Sequence, residues 1–424
     1  MIHSILSKGN METAYLHVFR NKGSAGVDGN SVNDLKPEFQ KNWKVMKETI
    51  LLGNYIPQAI LGIEIPKQNG KTRLLGIPTV IDRTLQQALH QKLSPIFEED
   101  FQSTSFGFRP KKNAHEAVRT ALFYVNQGNQ KIVDIDLKAF FDEVSHEKLM
   151  TLIYIRVKCP LTLKLIRSFL RAPIQINGKL RKRKKGVPQG SPLSPLLSNI
   201  ILNELDKELV KRGHKFVRYA DDFAIFKKSN KAAKRVGNSV YLFLKNKLKL
   251  PINREKSGIR NPKDFSFLGY HLYPRNRKGD KGKFLLVVDY KGLKRLKERI
   301  KVITRKTSPM SFDTRIRKLN QLRYGWVNYF KLASIDGQLR SLDAWIRKRL
   351  RLCIWKDWKR ANRRMKNFIR LGLSPDQAYA WSRTRMGTWA VACSPIMATT
   401  ITLERLEKRG YKSMLSYYKD VAEV

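Results

Sequence analysis

Three aspartates on predicted strands are the residues of this sequence best suited to chemistry. The segment FVRYADDFAIF (216–226) places Asp221 and Asp222 between two short apolar runs. Each run predicts a strand, with the aspartate pair as the turn between them. The segment KIVDIDLKAFFDEV (131–144) alternates polar and apolar residues and predicts another strand, with Asp136 near its end. If that strand lies beside the hairpin, the three carboxylates converge.

A converged trio of carboxylates suggests a metal site, because adjacent carboxylates repel and a two-residue hairpin turn is usually Asn-Gly or Asp-Gly. The trio becomes stable when it holds hard divalent cations such as Mg²⁺, which prefer oxygen ligands. Two such ions roughly 4 Å apart activate an attacking 3′-hydroxyl and stabilise a leaving pyrophosphate. The alternative is a solvated turn, since Asp favours turns in any protein.

The charge of the chain points to a polyanionic partner. Its 424 residues include 84 Lys and Arg against 35 Asp and Glu, a net charge of +49. Nucleic acid is the first candidate and an anionic membrane surface the second. The sequence contains no apolar run long enough to span a membrane and no signal-peptide core, which disfavours a membrane. Three isolated cysteines, Cys159, Cys353 and Cys393, predict reduced core thiols in a cytosolic protein.

Composition changes along the chain. Residues 1–270 hold most of the turn residues and strand-like runs, and residues 290–372 look helical and more basic. Residues 340–366 carry eleven Lys and Arg, with apolar residues at three- and four-residue spacing, and therefore predict one amphipathic helix with a cationic surface. GDKGK (279–283) is a plausible connector, and the chain after 373 has room for a small appendage.

A series of motifs in this chain resembles the reverse transcriptases encoded by group II introns, also called maturases. They occur in the order and spacing of that family, over nearly the full length. The motifs are NKGSAGVDG (21–29), IPKQNGKTRLLGIPTVIDRTLQQAL (65–89), SFGFRPKKNAHEAV (105–118), DIDLKAFFDEVSHEKL (134–149), GVPQGSPLSPLLSNIILNELDKEL (186–209), FVRYADDFAIF (216–226), LKLPINREKSGI (248–259) and FSFLGY (265–270).

The resemblance implies an α+β fold of the right-handed polymerase type, with fingers, palm and thumb. Fingers and an antiparallel palm sheet are expected in 1–285, including an N-terminal extension over about 1–62. An α-helical thumb, the maturase X domain, is expected in 286–372, and a small DNA-binding appendage in 373–424. No His- and Cys-rich endonuclease motif is found. This layout resembles the compact bacterial class C proteins, and the expected localisation is cytoplasmic.

The resemblance also implies roles for individual residues. Asp136, Asp221 and Asp222 would be the catalytic metal ligands for two Mg²⁺ ions, with Asp221 more direct than Asp222. The residues expected to bind the dNTP are Lys67, Arg73, Phe141, Gln189 and Lys256. Phe141 would be the steric gate that excludes a 2′-hydroxyl, and Phe140 a core residue. Without the resemblance, Phe141 could equally be a core residue. Lys67, Arg73 and Lys256 could equally be solvated surface residues.

Further cations are candidates for nucleic-acid contacts. They lie in three segments: a loop, the basic run LRKRKKG (180–186) and the predicted thumb helix. We expect template contacts from Arg109, Lys111 and Lys112, with Phe106 or Phe108 packed beneath. On the thumb we expect contacts with an RNA–DNA duplex from Arg347, Lys348, Arg349 and Arg351. The alternative for each set is a solvated charged surface.

These features together predict an RNA-directed DNA polymerase acting in target-primed reverse transcription and intron mobility, with maturase activity in splicing. The expected partners are intron RNA, an RNA template, a DNA primer or target and an RNA–DNA duplex, with no membrane. One alternative is an RNA-binding splicing cofactor that needs no polymerase activity. Another is a domesticated reverse transcriptase in defence or repair. The oligomeric state is left open, a weak dimer included.

Overall fold

The computed structural model describes residues 1–66, 70, 72–275 and 282–422. The chain divides into two compact units, Met1–Asn261 and Pro262–Val424. From the sequence, the first domain boundary was expected after residue 285. The difference is a small sheet over 266–288, which belongs to the second unit.

The first unit contains two four-stranded sheets among its described residues. One has the strand order β2-β1-β4-β5, and the other, wholly antiparallel, has the order β6-β7-β3-β8. The strands are β1 (Ile60–Pro66), β2 (Thr72–Ile77), β3 (Lys131–Ile135), β4 (Ile174–Ile176), β5 (Lys179–Arg181), β6 (Lys215–Tyr219), β7 (Asp222–Lys227) and β8 (Gly258–Arg260).

Helices pack against the antiparallel sheet of the first unit. Side-chain caps fix where several of them begin: Thr79 accepts a hydrogen bond at the start of the helix Val80–Glu98, and Ser145 does so at the start of the helix His146–Arg156. The helices are α1 (Ile2–Ile5), α2 (Lys8–Arg20), α3 (Leu35–Leu51), α4 (Val80–Glu98), α5 (Ala114–Asn126), α6 (Phe140–Glu143), α7 (His146–Arg156), α8 (Pro160–Arg171), α9 (Ser194–Lys211) and α10 (Asn230–Leu242), which continues as a π-helix (Phe243–Leu248).

The main hydrophobic core of this unit lies under the antiparallel sheet. Buried residues of β3, β6 and β7, among them Val133, Phe216 and Phe223, belong to the same cluster as apolar residues of α4, α7, α8 and α9. Alternation along β3 sends Val133 and Ile135 into this core, while Asp134 and Asp136 take the opposite face. The predicted strand and its apolar face are confirmed.

The second unit combines a small antiparallel sheet with many helices. The sheet has the order β11-β10-β9. Its strands are β9 (Ser266–Phe267), β10 (Tyr270–Pro274) and β11 (Phe284–Val288). The helices are α11 (Tyr290–Ile303), α12 (Phe312–Phe330), α13 (Asp336–Asp357), α14 (Ala361–Arg370), α15 (Pro375–Ser382), α16 (Thr388–Cys393), α17 (Pro395–Thr400), α18 (Leu403–Lys408) and α19 (Met414–Val421), and a 3₁₀ turn spans Pro262–Asp264.

Two predictions made from the sequence are corrected. The single helix expected over 340–366 is two helices, α13 and α14, because Lys359 adopts a left-handed backbone with φ of +39° and the chain turns there. The cysteines were expected in the core, but Cys393 is exposed, whereas Cys353 is buried and Cys159 is half-buried.

A buried carboxylate connects the last helix of the chain to α13. Asp343 is 3% exposed and accepts four hydrogen bonds, at 2.6 to 2.9 Å. The donors are the Tyr411 hydroxyl, the Ser413 hydroxyl and the backbone amides of Met414 and Leu415. Because every donor lies in 411–415, this one side chain fixes the start of α19 to α13.

Asp343→Asn is therefore expected to lower the free energy of unfolding by about 3 kcal/mol. An amide group cannot accept all four bonds, and each buried donor left unpaired costs about 1–3 kcal/mol. Asp357→Asn, at the exposed end of the same helix, is the matched control and should change stability by less than about 0.5 kcal/mol. Urea unfolding curves compare the two, and equal midpoints would show that the Asp343 cluster contributes little.

No helix within the described ranges is both long enough and apolar enough to cross a membrane.

Candidate active site

The turn between β6 and β7 lies one residue earlier than predicted. Tyr219 pairs with Asp222, so the two turn residues are Ala220 and Asp221, and Asp222 is the first residue of β7. Ala220 has a φ of +57°, a left-handed conformation that a residue with a side chain seldom adopts. The expectation that Asp221 and Asp222 together form the turn is therefore wrong, and the two carboxylates occupy different structural positions.

The neighbouring strand brings the third aspartate alongside. β3 and β7 are antiparallel, with Ile135 opposite Phe223. Continuing that register by one residue places Asp136 opposite Asp222, at the same end of the sheet as the turn. The three predicted metal ligands therefore lie together at one end of these adjacent strands.

The three carboxylates interact electrostatically. Burial, followed by the charges of Asp221 and Asp136, raises the pKa of Asp222 to about 6, although part of its side chain reaches solvent. Burial also raises the pKa of Asp221, and the Asp136 carboxylate adds to that rise. Such mutual repulsion means that the cluster is short of positive charge in a chain that is otherwise strongly basic.

The segment before β8 surrounds Asp136. The Lys256 ammonium lies 3.8 Å from the Asp136 carboxylate. The backbone amide of Asp136 donates to the Ser257 hydroxyl at 3.0 Å, and the amide of Asn253 donates to the Asp136 carbonyl at 2.8 Å. Lys256 therefore lies next to the cluster, as its predicted role requires, and these backbone bonds fix where Asp136 lies.

The donor set suits a hard divalent cation in charge and chemistry, since it consists of carboxylate oxygens and the charge of Asp136 raises the pKa values of Asp221 and Asp222. In the present side-chain positions, however, no group of three or more His, Cys, Asp or Glu residues within the described ranges has the spacing of a metal site. The carboxylates share an electrostatic neighbourhood without forming a closed ligand shell.

Two residues predicted to hold the nucleotide are in direct contact. The Arg73 guanidinium donates a hydrogen bond from Nε to Oε1 of Gln189. The Gln189 carbonyl accepts from the amide of Gly76 at 2.7 Å, which joins its loop to β2. The positive charge of Arg73 also acts to lower the pKa of Asp221, so the pair lies near the carboxylates. Lys67, another predicted cation of this group, lies outside the described residues.

Phe141 and Phe140 begin α6, directly after Ala139, which has a left-handed φ of +49°. Phe140 is 3% and Phe141 9% exposed, and their rings are in edge-to-face contact with centroids 5.2 Å apart. The Phe141 carbonyl accepts a hydrogen bond from the Val187 amide at 2.6 Å. Phe141 is therefore attached to the segment that leads to Gln189.

The cations predicted to contact the template differ in whether they already bind groups of their own unit. Arg109 is used within the unit: it forms a 2.7 Å ion pair with Glu98, and its Nη1 donates to the Ser105 carbonyl at 2.8 Å. Lys112 lies 3.8 Å from Glu116, whereas Lys111 is exposed. Lys111 is the residue of this set best placed to contact solvent or a polyanion.

The thumb cations divide in a similar way. Arg349 donates from Nε to the Thr304 hydroxyl at 2.8 Å, and Arg351 donates from Nε to the Ile401 carbonyl at 3.0 Å. Both are half-buried and pack the second unit together. Lys348 is exposed and Arg347 is half-buried. Nucleic-acid binding by these four cations stays a prediction, and Lys348 is the best candidate among them because it is exposed.

A buried polar network, which the sequence reasoning missed, supports the turn. Arg218 and Asp206 form an ion pair with both side chains 0% exposed. The Arg218 guanidinium also donates to the Asn199 side chain at 2.8 Å and to the Ala220 carbonyl at 2.9 Å. Asn199 in turn donates to the Gly107 carbonyl at 2.9 Å. The signal was an arginine inside an apolar strand, which needs a partner once buried.

Gly107 packs directly against the same turn. A Cβ at this position would collide with the backbone amide of Ala220. The loop also pairs with β6, since the Phe106 amide donates to the Arg218 carbonyl at 2.9 Å. The SFGFRP segment therefore closes over the turn, and only glycine allows so near an approach.

Comparison with known proteins agrees with this geometry. The family profile described as "Reverse transcriptase (RNA-dependent DNA polymerase)" matches residues 65–272, which include all three aspartates. The profile described as "Group II intron, maturase-specific domain" matches residues 293–372. The first match identifies the class of protein as a reverse transcriptase. The second narrows that class to the reverse transcriptases with the maturase domain of group II introns.

Individual relatives support the same assignment. Protein YkfC of Escherichia coli (strain K12) is 32% identical over 295 residues, which cover 60% of this chain and 77% of YkfC. The group II intron-encoded protein LtrA of Lactococcus lactis subsp. cremoris is 30% identical over 330 residues, covering 62% of this chain and 54% of LtrA. This chain therefore spans about half the length of LtrA. A solved "Partial Cas6-RT-Cas1--Cas2 complex" overlaps 58% of this chain at 24% identity and a TM-score of 0.37, too low to support an argument.

The chain belongs to the family of group II intron reverse transcriptases and maturases. The resemblance seen in the sequence motifs is confirmed, and with it a mixed α/β fold with antiparallel sheets.

Proposed function

We propose that this chain is an RNA-directed DNA polymerase that extends a DNA primer on an RNA template, with Asp136, Asp221 and Asp222 holding two Mg²⁺ ions. The observation that carries the proposal is the convergence of these carboxylates at the end of one antiparallel sheet. Bound there, the ions would activate the primer 3′-hydroxyl and stabilise the leaving pyrophosphate. Primer extension by the purified protein, with and without EDTA, tests it: extension that persists in EDTA contradicts the metal assignment.

The surrounding residues suit the positioning of a nucleoside triphosphate. Arg73 offers a forked guanidinium to phosphate oxygens, and its contact with Gln189 holds that fork near Asp221. Lys256, 3.8 Å from Asp136, is suited to bind or protonate the leaving pyrophosphate. On this basis we assign the palm to the sheet β6-β7-β3-β8, the fingers to the sheet β2-β1-β4-β5 and the thumb to the helices within 286–372.

The maturase profile supports a second role in the splicing of a host intron, together with intron mobility by target-primed reverse transcription. For that role the partners are intron RNA and a DNA target, and we assign DNA binding to 373–424. An RNA-binding cofactor without polymerase activity remains the second candidate, since the maturase match alone requires no catalysis. The aspartate cluster favours the polymerase.

Phe141→Ala is expected to reduce discrimination against ribonucleotides by about tenfold or more, a change of about 1.4 kcal/mol in relative transition-state free energy. We propose that the ring lies under the sugar of the incoming nucleotide, where it leaves no space for a 2′-hydroxyl. Single-nucleotide incorporation with paired dNTP and rNTP substrates measures the ratio of kcat/KM.

Phe140→Ala is the matched control, because Phe140 is the adjacent ring and is more deeply buried. It should lower stability by about 3–5 kcal/mol without changing the choice of sugar. If Phe141→Ala keeps wild-type discrimination, or if both variants lose it equally, Phe141 is not the gate.

A further inference from the structure

A cavity of about 650 Å³ opens in the first unit between α7, α8 and the segment that follows β5. Its walls combine apolar groups with four cations. The cations are Arg167, Arg171, Arg183 and Lys184, and Glu147 is the carboxylate among the lining residues. This excess of positive charge around a concave site of nucleotide size favours an anionic ligand.

Arg183 supplies the strongest indication that the cavity binds a ligand. Its Nη1 is buried and has no hydrogen-bond partner among the described residues. Burial lowers the pKa of the Arg183 guanidinium, and the charge of Asp142 only partly opposes that effect. Folded proteins seldom leave such a nitrogen unsatisfied. Arg183 lines the cavity and is only partly buried, so a turn of its side chain would bring this nitrogen to an oxygen of a bound ligand.

The other cations point to phosphate as the group that binds. Arg167 and Arg171 are four residues apart on α8, so both side chains lie on the same helix face. Guanidinium groups bind phosphate oxygens through parallel hydrogen bonds. Of the remaining titratable groups nearby, His146 has a lowered pKa and donates from Nε2 to the Gly186 carbonyl at 2.7 Å, so it adds no positive charge near neutral pH.

An exposed aromatic ring at the same cavity suits a nucleobase. Tyr154 is 53% exposed and lines the cavity, and the Lys158 ammonium lies 3.8 Å from its ring centroid. Stacking of bases on aromatic rings beside cations is a common mode of single-strand recognition.

We propose that this cavity binds a phosphodiester segment of single-stranded RNA, with Arg183, Arg167 and Arg171 on phosphate and Tyr154 against a base. The choice of RNA rests on the proposed function, whereas the anion site rests on the cavity itself. This RNA contact is separate from the carboxylate cluster and does not require catalysis.

The test measures binding of a fluorescein-labelled single-stranded RNA of about twelve nucleotides to the full chain by anisotropy. Excess unlabelled RNA–DNA duplex is added first to occupy the proposed polymerase site. Wild-type protein is expected still to bind the probe, and R183M to bind it about tenfold more weakly, as expected for the loss of a charge-assisted contact. The double variant R167Q/R171Q should show a similar loss.

R235M is the matched control, since Arg235 on α10 is exposed and does not line the cavity. Its affinity should stay within about twofold of wild type. Equal affinities of R183M and R235M, or no probe binding by wild type in the presence of duplex, would overturn the proposal.

Thermal unfolding separates a ligand-binding arginine from a structural one. Because Nη1 of Arg183 is unpaired, R183M should unfold at the wild-type temperature or above it while binding less RNA. If R183M unfolds at a lower temperature than wild type, the RNA affinity of R167Q/R171Q becomes the deciding measurement, because both of these residues are exposed. Wild-type affinity in that double variant overturns the proposal. Primer extension by the wild-type protein is measured separately, so failure of the proposed polymerase function is distinguishable from failure of this site.

Discussion

Asp221→Asn is expected to reduce primer extension on an RNA template by about a thousandfold or more. The substitution removes one carboxylate from the cluster that we propose holds the catalytic ions. Several kcal/mol of transition-state stabilisation are lost with it, at about 1.4 kcal/mol for each factor of ten. The measurement is single-turnover extension of a labelled DNA primer with dNTPs and Mg²⁺.

The same substitution should not destabilise the protein. Burial and Asp136 raise the pKa of Asp221, so its carboxyl binds a proton more tightly in the folded chain than in the unfolded chain. A group of this kind stabilises the fold when protonated, and the contribution is lost as pH rises through the folded-state pKa. At neutral pH the neutral asparagine should therefore match or exceed the wild-type unfolding temperature.

The control for Asp221→Asn is Asp264→Asn, which removes one negative charge from an exposed position in the second unit. It should leave extension within about twofold of wild type. Full extension by Asp221→Asn would show that the active-site assignment is wrong. Retained splicing assistance by the same variant, beside lost extension, would show that the two proposed roles use different parts of the chain.

The strands of the candidate site were predictable because alternation is a local signal. β3 shows it in KIVDI, whereas the local signal for β6 and β7 is the short apolar run on either side of Asp221. The position of the turn was not predictable, because the segment FVRYADDFAIF accommodates a turn at 220–221 as well as one at 221–222. Pairing with β3 and the close approach of Gly107 decide between them, and both contacts are distant in sequence.

The roles of the arginines were the least predictable feature. Composition suggests that cations in a basic protein face a polyanion, yet Arg109, Arg218 and Arg349 donate hydrogen bonds to groups inside their own unit. Five donors on a planar group allow arginine to satisfy several carbonyl oxygens at once. The helix break at Lys359 was equally hidden, because no glycine or proline marks it.

The pair Arg218 and Asp206 offers the second large effect. Arg218→Met or Asp206→Leu alone should lower the free energy of unfolding by about 3–5 kcal/mol, because each leaves an uncompensated buried charge. The double variant should regain most of that loss, since an apolar pair of similar volume often replaces a buried ion pair without penalty. A remaining cost of about 1–3 kcal/mol is expected from the carbonyl of Ala220 and the side chain of Asn199.

Activity should not return with stability in the double variant, because Arg218 acts as a positioning residue for the turn that carries Asp221. Without its hydrogen bond, the strained backbone of Ala220 loses the group that fixes its carbonyl. We expect kcat about tenfold or more below wild type, together with a higher Mg²⁺ concentration for half-maximal extension and little change in KM for the primer–template duplex. A merely structural ion pair would predict wild-type extension by the stable double variant, so the Mg²⁺ titration of that variant decides whether the network positions the carboxylates or only holds the core together.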